Sequence, residues 1–214
     1  MSRGDPKSKE LKPSDRRSWP AAGDRSTNKL YAAVGRGLSQ WEHHEGALSI
    51  LFAAFITNSE SLAARRSYVA VRTFEGRAEM LRAASLAYFA QHPHEAYQVE
   101  FKSILGSALQ FSQRRNDIAH GVIDYFMENP AGWGETLANL SDRQFLRKMA
   151  RFPKDAFALY PSWASFRERD LNQIPTYCMS SKELDYFADA FANLCDPPRK
   201  LAEDLIVRRR RRKR

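Results

Sequence analysis

The sequence predicts an all-α protein, an antiparallel bundle of long helices with a small irregular or β-ribbon insertion before the C-terminal helix. Three observations predict it. Between residues 28 and 126, apolar side chains recur at spacings of three, four or seven, the period of helices with one buried face. Only two short breaks interrupt that pattern, Asn58-Ser59-Glu60-Ser61 and His92-Pro93-His94, so consecutive helices must fold back on each other. Beyond residue 129 the pattern is broken by Pro, Gly and Asn, leaving two short β-prone runs at 157–160 and 176–179.

Residues 1–28 are rich in Ser, Pro, Asp, Arg and Lys, with Leu11 and Trp19 as the apolar exceptions. Such a segment buries too little surface to offset its ordering entropy, so a disordered tail is expected. The first helix is expected from Asn28, a suitable N-cap, to about residue 57, with Leu30, Val34, Leu38, Trp41, Leu48, Phe52 and Phe55 on its inner stripe. Glu45 falls on that stripe and needs a cation or an edge position. The second helix is expected over 60–91 without interruption, with Gly76 marking close approach of a neighbouring helix. The third spans 95–126, with Tyr97, Phe101, Ile104, Ala108, Phe111, Arg115, Ile118, Val122 and Tyr125 facing inwards. After the loop at 129–134, Ser141 with Gln144 suggests a short helix to about residue 152. The runs 157–160 and 176–179 are expected to pair with each other. Ser180 with Glu183 is a second capping box, opening a helix to Cys195, and a last helical stretch follows Pro197-Pro198. Residues 29–207 thus form a single helical domain, and 208–214 a disordered basic tail.

The net charge of +9 is carried by the ends. Residues 208–214 hold +7 and residues 1–29 hold +4, which leaves 30–207 at −2. Broad attraction to RNA or to an acidic membrane therefore resides in Arg208, Arg209, Arg210, Arg211, Arg212, Lys213 and Arg214 and in the N-terminal segment. A merely solubilising end is the plain alternative. Cys178 and Cys195 form no CxxC or metal-ligand pattern, which fits a reducing compartment. His43-His44-Glu45 and His92-Pro93-His94-Glu95 contain ligand types without HExxH spacing, so no metal site is expected. Trp41, Trp133 and Trp163 are expected in the core or at an interface. The longest apolar run, 47–56, is half of the roughly 20 residues a membrane span needs, and no signal-like segment opens the chain. A soluble cytoplasmic protein without a membrane partner is expected.

The chemistry concentrates in Arg114-Arg115-Asn116-Asp117-Ile118-Ala119-His120-Gly121. On a helix, Asn116, His120 and Asp124 share a face, while Arg115 lies about 140° from His120 on the apolar side. An arginine there needs a carboxylate, a carbonyl, a phosphate or a partner subunit, and Glu45 is one candidate. The set suits RNA cleavage, because RNA carries its own nucleophile. A histidine near neutral pKa can take the 2′-hydroxyl proton, and an arginine fork can stabilise charge building on the phosphate. Asn116 can hold the imidazole or the phosphate, and Asp117 or Asp124 can raise the histidine pKa if close. No metal is required. With 5 His and the many Arg of this chain, a bare Arg-to-His spacing arises by chance about once in two such chains, so the spacing alone is weak.

In this context the stretch resembles the HEPN superfamily of helical bundles. Its signature is an Arg, often followed by Asn, Asp or His, with a His four to six residues beyond. Arg115, Asn116 and His120 match it, and Arg114 satisfies the looser spacing. The resemblance covers about residues 30–127, with 176–195 as a terminal helix of the same domain. It implies a metal-independent endoribonuclease acting at a cleft between two motifs of a homodimer, in toxin, defence or RNA-processing roles, with an antitoxin or other protein as partner. It equally admits members that keep the fold without catalysis, as RNA-binding or protein-interaction modules. The purely structural alternative ties Arg115 to Glu45 or a carbonyl and leaves His120 as an ordinary polar helix residue.

Overall fold

In the computed structural model, the described residues are 20, 22–57, 61–126, 155–161 and 177–212. They form α1 (Thr27–Ile56), α2 (Leu62–Ala70), α3 (Phe74–Gln91), α4 (Glu95–Ala119), β1 (Val122–Tyr125), β2 (Phe157–Tyr160), α5 (Ser181–Asn193) and α6 (Asp196–Arg212). The fold is all-α with a small two-stranded antiparallel sheet. The expected short helix after Ser141, the loop at 129–134, Trp133 and Trp163 lie outside the described residues.

α1 is the axis, packed by α2, α3, α4, α5 and α6. Its thirty residues follow from an apolar stripe that widens towards its C-terminus, where 51–55 are all buried. Two cores result. The C-terminal half of α1 packs Leu48, Leu51, Phe52 and Phe55 with Tyr68, Leu81, Tyr88, Phe101, Leu105, Leu201 and Leu205. The N-terminal half packs Leu30 and Trp41 with Phe111, Ile118, Leu159, Leu184 and Phe191. The second core joins the end of α4 to β2 and α5. Among the described residues, no helix is long and apolar enough to cross a membrane.

The long second helix is in fact two. Val71 leaves the helical region, and Thr73 caps α3 by accepting the Gly76 N–H at 3.1 Å. Gly76 accommodates Val71 of the preceding turn and not another helix, since an added Cβ would sit 2.7 Å from Val71 Cγ1. Arg77 Nε donates to the Val71 carbonyl at 2.8 Å and closes the break.

α4 stops seven residues before its expected end. Gly121 lies under β2, where an added Cβ would come within 2.7 Å of Leu159 Cγ and 2.8 Å of the Asp117 carbonyl. The β-branched Val122 and Ile123 then continue as strand. Val122 and Tyr125 are exposed there, not inward-facing. β1 pairs with β2 in the register Val122↔Tyr160 to Tyr125↔Phe157. Of the expected pairing of 157–160 with 176–179, the described residues show one bridge, Leu159↔Met179, on the other edge of β2.

Parts of both expected tails belong to the fold, while residues 1–19, 21, 213 and 214 lie outside the described residues. Asp24 bridges Phe157, and its carboxylate accepts the Ser181 N–H at 2.7 Å and hydroxyl at 2.6 Å, which fixes the start of α5. The Ser180–Glu183 capping box forms as the sequence indicates, with the Ser180 N–H 2.8 Å from Glu183 Oε2. α6 runs to Arg212, so residues 208–212 are helical and not a disordered tail.

Candidate functional site

The Arg-Asn-Asp stretch occupies the last turn and a half of α4, against α1. Helix geometry separates Arg115 and His120 by about 7.5 Å of rise. His120 is the C-cap residue, and its N–H closes the final helical hydrogen bond to the Asn116 carbonyl at 3.0 Å. Asn116 and His120 are both exposed and lie four residues apart on one side of this turn.

The two arginines divide differently from expectation. Arg114, not Arg115, is the buried one, at 6% exposure. Its Nη1 lies 2.9 Å from Asp117 Oδ2 and donates to the Tyr177 hydroxyl at 2.8 Å. The Tyr177 hydroxyl in turn donates to Asp117. The arginine carbon sits 5.4 Å from the Tyr177 ring centre. Burial first, then the hydrogen bond to Asp117 and its charge, push the Tyr177 phenol well above its ordinary value, so it stays a donor. This network fastens the end of α4 to the segment that enters α5. It also occupies Asp117.

Arg115 has a side-chain exposure of 29%. Its Nη1 donates to Asn116 Oδ1 at 3.0 Å, and its Nη2 is 4.0 Å from Glu42 Oε1, the limit of an ion pair. Its Nε is buried with no partner among the described residues. Its weakly paired Nη2, at the limit of the Glu42 ion pair, is the donor nearest to free beside an exposed amide and an exposed imidazole.

Two expected supporting residues lie elsewhere. Glu45 is buried and accepts from Arg77 and from Trp41 Nε1 at 2.7 Å, so it does not pair with Arg115. Asp124 lies on β1, where its carboxylate accepts the Tyr125 N–H at 2.7 Å, and it shares no helical face with His120. Glu42 and Tyr177 were not foreseen. Glu42 sits on α1 where no motif marks it. Tyr177 lies within the β-prone run 176–179, and only folding brings it to α4.

The basic run also divides. Arg209 donates to the carbonyls of Ala54 at 3.1 Å, Phe55 at 2.8 Å and Thr57, and it lies 4.4 Å over Tyr88. It closes the C-terminus of α1 and belongs to the fold. No family model, curated protein or solved structure matches this chain.

Proposed function

We propose that this chain is a metal-independent endoribonuclease of HEPN type, acting in the cytoplasm. His120 takes the 2′-hydroxyl proton or returns one to the leaving 5′-oxygen. Arg115 stabilises the charge that builds on the phosphate, and Asn116 orients the guanidinium. The 2′-oxygen forms a bond to phosphorus as the bond to the 5′-oxygen breaks, so no external nucleophile is needed. The observation that carries the reading is the pairing of Arg115 with Asn116 on the same exposed helix end as His120, while Arg114 and Asp117 are tied into a separate buried network. The resemblance supplies the homodimer, with two such helix ends forming one cleft, and a toxin or defence role opposed by an antitoxin-like partner.

The test is purified protein on mixed RNA in EDTA, beside His120→Ala, Arg115→Ala and Asn116→Ala. Wild type cleaves, and His120→Ala and Arg115→Ala each lose at least about 100-fold in rate, the usual scale for a general base or a charge-stabilising donor. No cleavage by wild type, or equal cleavage by all, removes the assignment. Light scattering of the purified chain gives the mass of its dimer. A non-catalytic, dimeric RNA-binding or protein-interaction module is the second reading. Glu42 favours it, because a carboxylate 4.0 Å from Arg115 competes with a phosphate for the same cation.

A further inference from the structure

The end of α6 and the start of α4 form a second polar corner, far from the Arg115–His120 helix end. Arg208 lies 5.9 Å over the Tyr97 ring. Tyr97 is stacked on His94, with centres 4.0 Å apart and planes 20° from parallel. His94 Nδ1 accepts the Tyr97 N–H at 3.3 Å, which leaves Nε2 as the ring's donor. Arg210 and Arg211 are exposed on the next helical positions, and neither has a carboxylate partner among the described residues. Arg209 is turned inwards, onto the carbonyls of α1.

We infer that Arg208, Arg210 and Arg211, with the Tyr97–His94 stack, form a distal contact for a single RNA strand, separate from the helix end that carries His120. Three cations and a stacked ring pair suit phosphates interleaved with bases. A membrane surface fits less well. Leu201, Ala202 and Leu205 of α6 are buried in the bundle, and Val207 is its one exposed large apolar side chain among the described residues, so no apolar face remains for a bilayer. The inference takes from the proposed activity only that the polyanion is RNA. Its consequence is a length requirement. Tyr97 and Arg115 are eighteen residues apart on one helix, roughly 27 Å, which a stacked strand covers in about eight nucleotides.

The experiment measures binding of 2′-O-methyl RNA, which cannot be cut, so its result does not depend on catalysis. Labelled 4-mers and 20-mers are titrated against the full chain, against a triple Arg208→Gln, Arg210→Gln, Arg211→Gln variant and against Tyr97→Leu, across a range of salt. Wild type binds the 20-mer more tightly than the 4-mer. The triple variant loses at least about tenfold for the 20-mer, and its log–log salt slope falls by about 2, from three phosphate contacts at roughly 0.7 each. Tyr97→Leu loses several-fold with the slope unchanged. Arg209 is left intact so that melting stays that of wild type. Unchanged 20-mer affinity and slope in the triple variant would overturn the contact, and so would tighter binding to phosphatidylserine vesicles than to RNA. Unaltered affinity in Tyr97→Leu removes the stack from it. If unmodified RNA is never cut while this binding behaves as stated, the catalytic reading fails and the distal contact stands.

Discussion

Arg114 and Arg115 are neighbours in the chain and opposites in role. Arg114 is held by Asp117 and Tyr177 in a buried network, where its charge is neutralised at 2.9 Å. Arg115 is partly exposed, donates to Asn116 and reaches Glu42 only at 4.0 Å. The difference predicts separable phenotypes. Arg114→Ala leaves the Asp117 carboxylate without its cation and costs about 3 kcal/mol or more of stability, the scale for breaking a buried pair. Arg115→Ala removes a poorly paired cation and changes stability by about 0.5 kcal/mol or less, since an ion pair at 4.0 Å near the surface is weak. Urea unfolding of the two variants measures both. Equal destabilisation would remove the distinction drawn here. The periodicity could not have ranked the two residues. Phe111, Arg114, Ile118 and Phe111, Arg115, Ile118 both satisfy three-and-four spacing, and the chain uses the first.

At the scale of elements, the ends of helices decide the architecture more than their middles. α1 would leave its last carbonyls bare where it meets solvent at Thr57. Arg209, more than 150 residues later, donates to three of them and packs over Tyr88. Arg209→Ala is therefore expected to cost about 2 kcal/mol, the range for hydrogen bonds to a charged group. Hydrogen exchange should show the loss in the last turn of α1 and in α6, with α5 unchanged. Uniform loss across all helices, or none, would contradict the clamp. α4 ends for a complementary reason. Gly121 passes under Leu159 where a side chain would clash, and the β-branched residues after it pair with β2 as β1. The same turn leaves His120 at a helix end, exposed, instead of in mid-helix.

For the molecule as a whole, the buried polar groups beside α1 set its response to pH. His44 is 1% exposed and touches the Leu194 carbonyl through Nδ1 at 2.9 Å. Its Nε2 is buried without a partner among the described residues. Burial lowers its pKa to about 4, against a smaller opposing pull from that carbonyl and from Glu45. The folded state therefore refuses a proton that the unfolded chain accepts below about 6.5. Stability is fully present above pH 6.5 and falls as the pH drops towards 4, by up to about 3 kcal/mol. His44→Asn keeps a donor near the Leu194 carbonyl and removes the titration. Its unfolding free energy should vary less between pH 6.5 and 4 than that of wild type, and an identical slope would exclude His44 as the source.

The sequence by itself determined the helical class, α1, the break at Pro93, the capping box at Ser180 and the grouping of Arg115, Asn116 and His120. All of these rest on spacings of seven residues or fewer, or on local cap chemistry, which a chain carries before it folds. Tertiary structure alone decided which arginine is buried, since that depends on Tyr177 lying beside α4. It decided that Glu45 answers Arg77 and not Arg115, that β2 takes 122–125 as its full partner strand and meets 177–179 only at the Leu159–Met179 bridge, and that Arg209 belongs to α1. Each of these contacts joins residues more than thirty positions apart. Their partners are chosen by desolvation and by the space left beside neighbouring side chains, and neither quantity has a period that can be read along the chain.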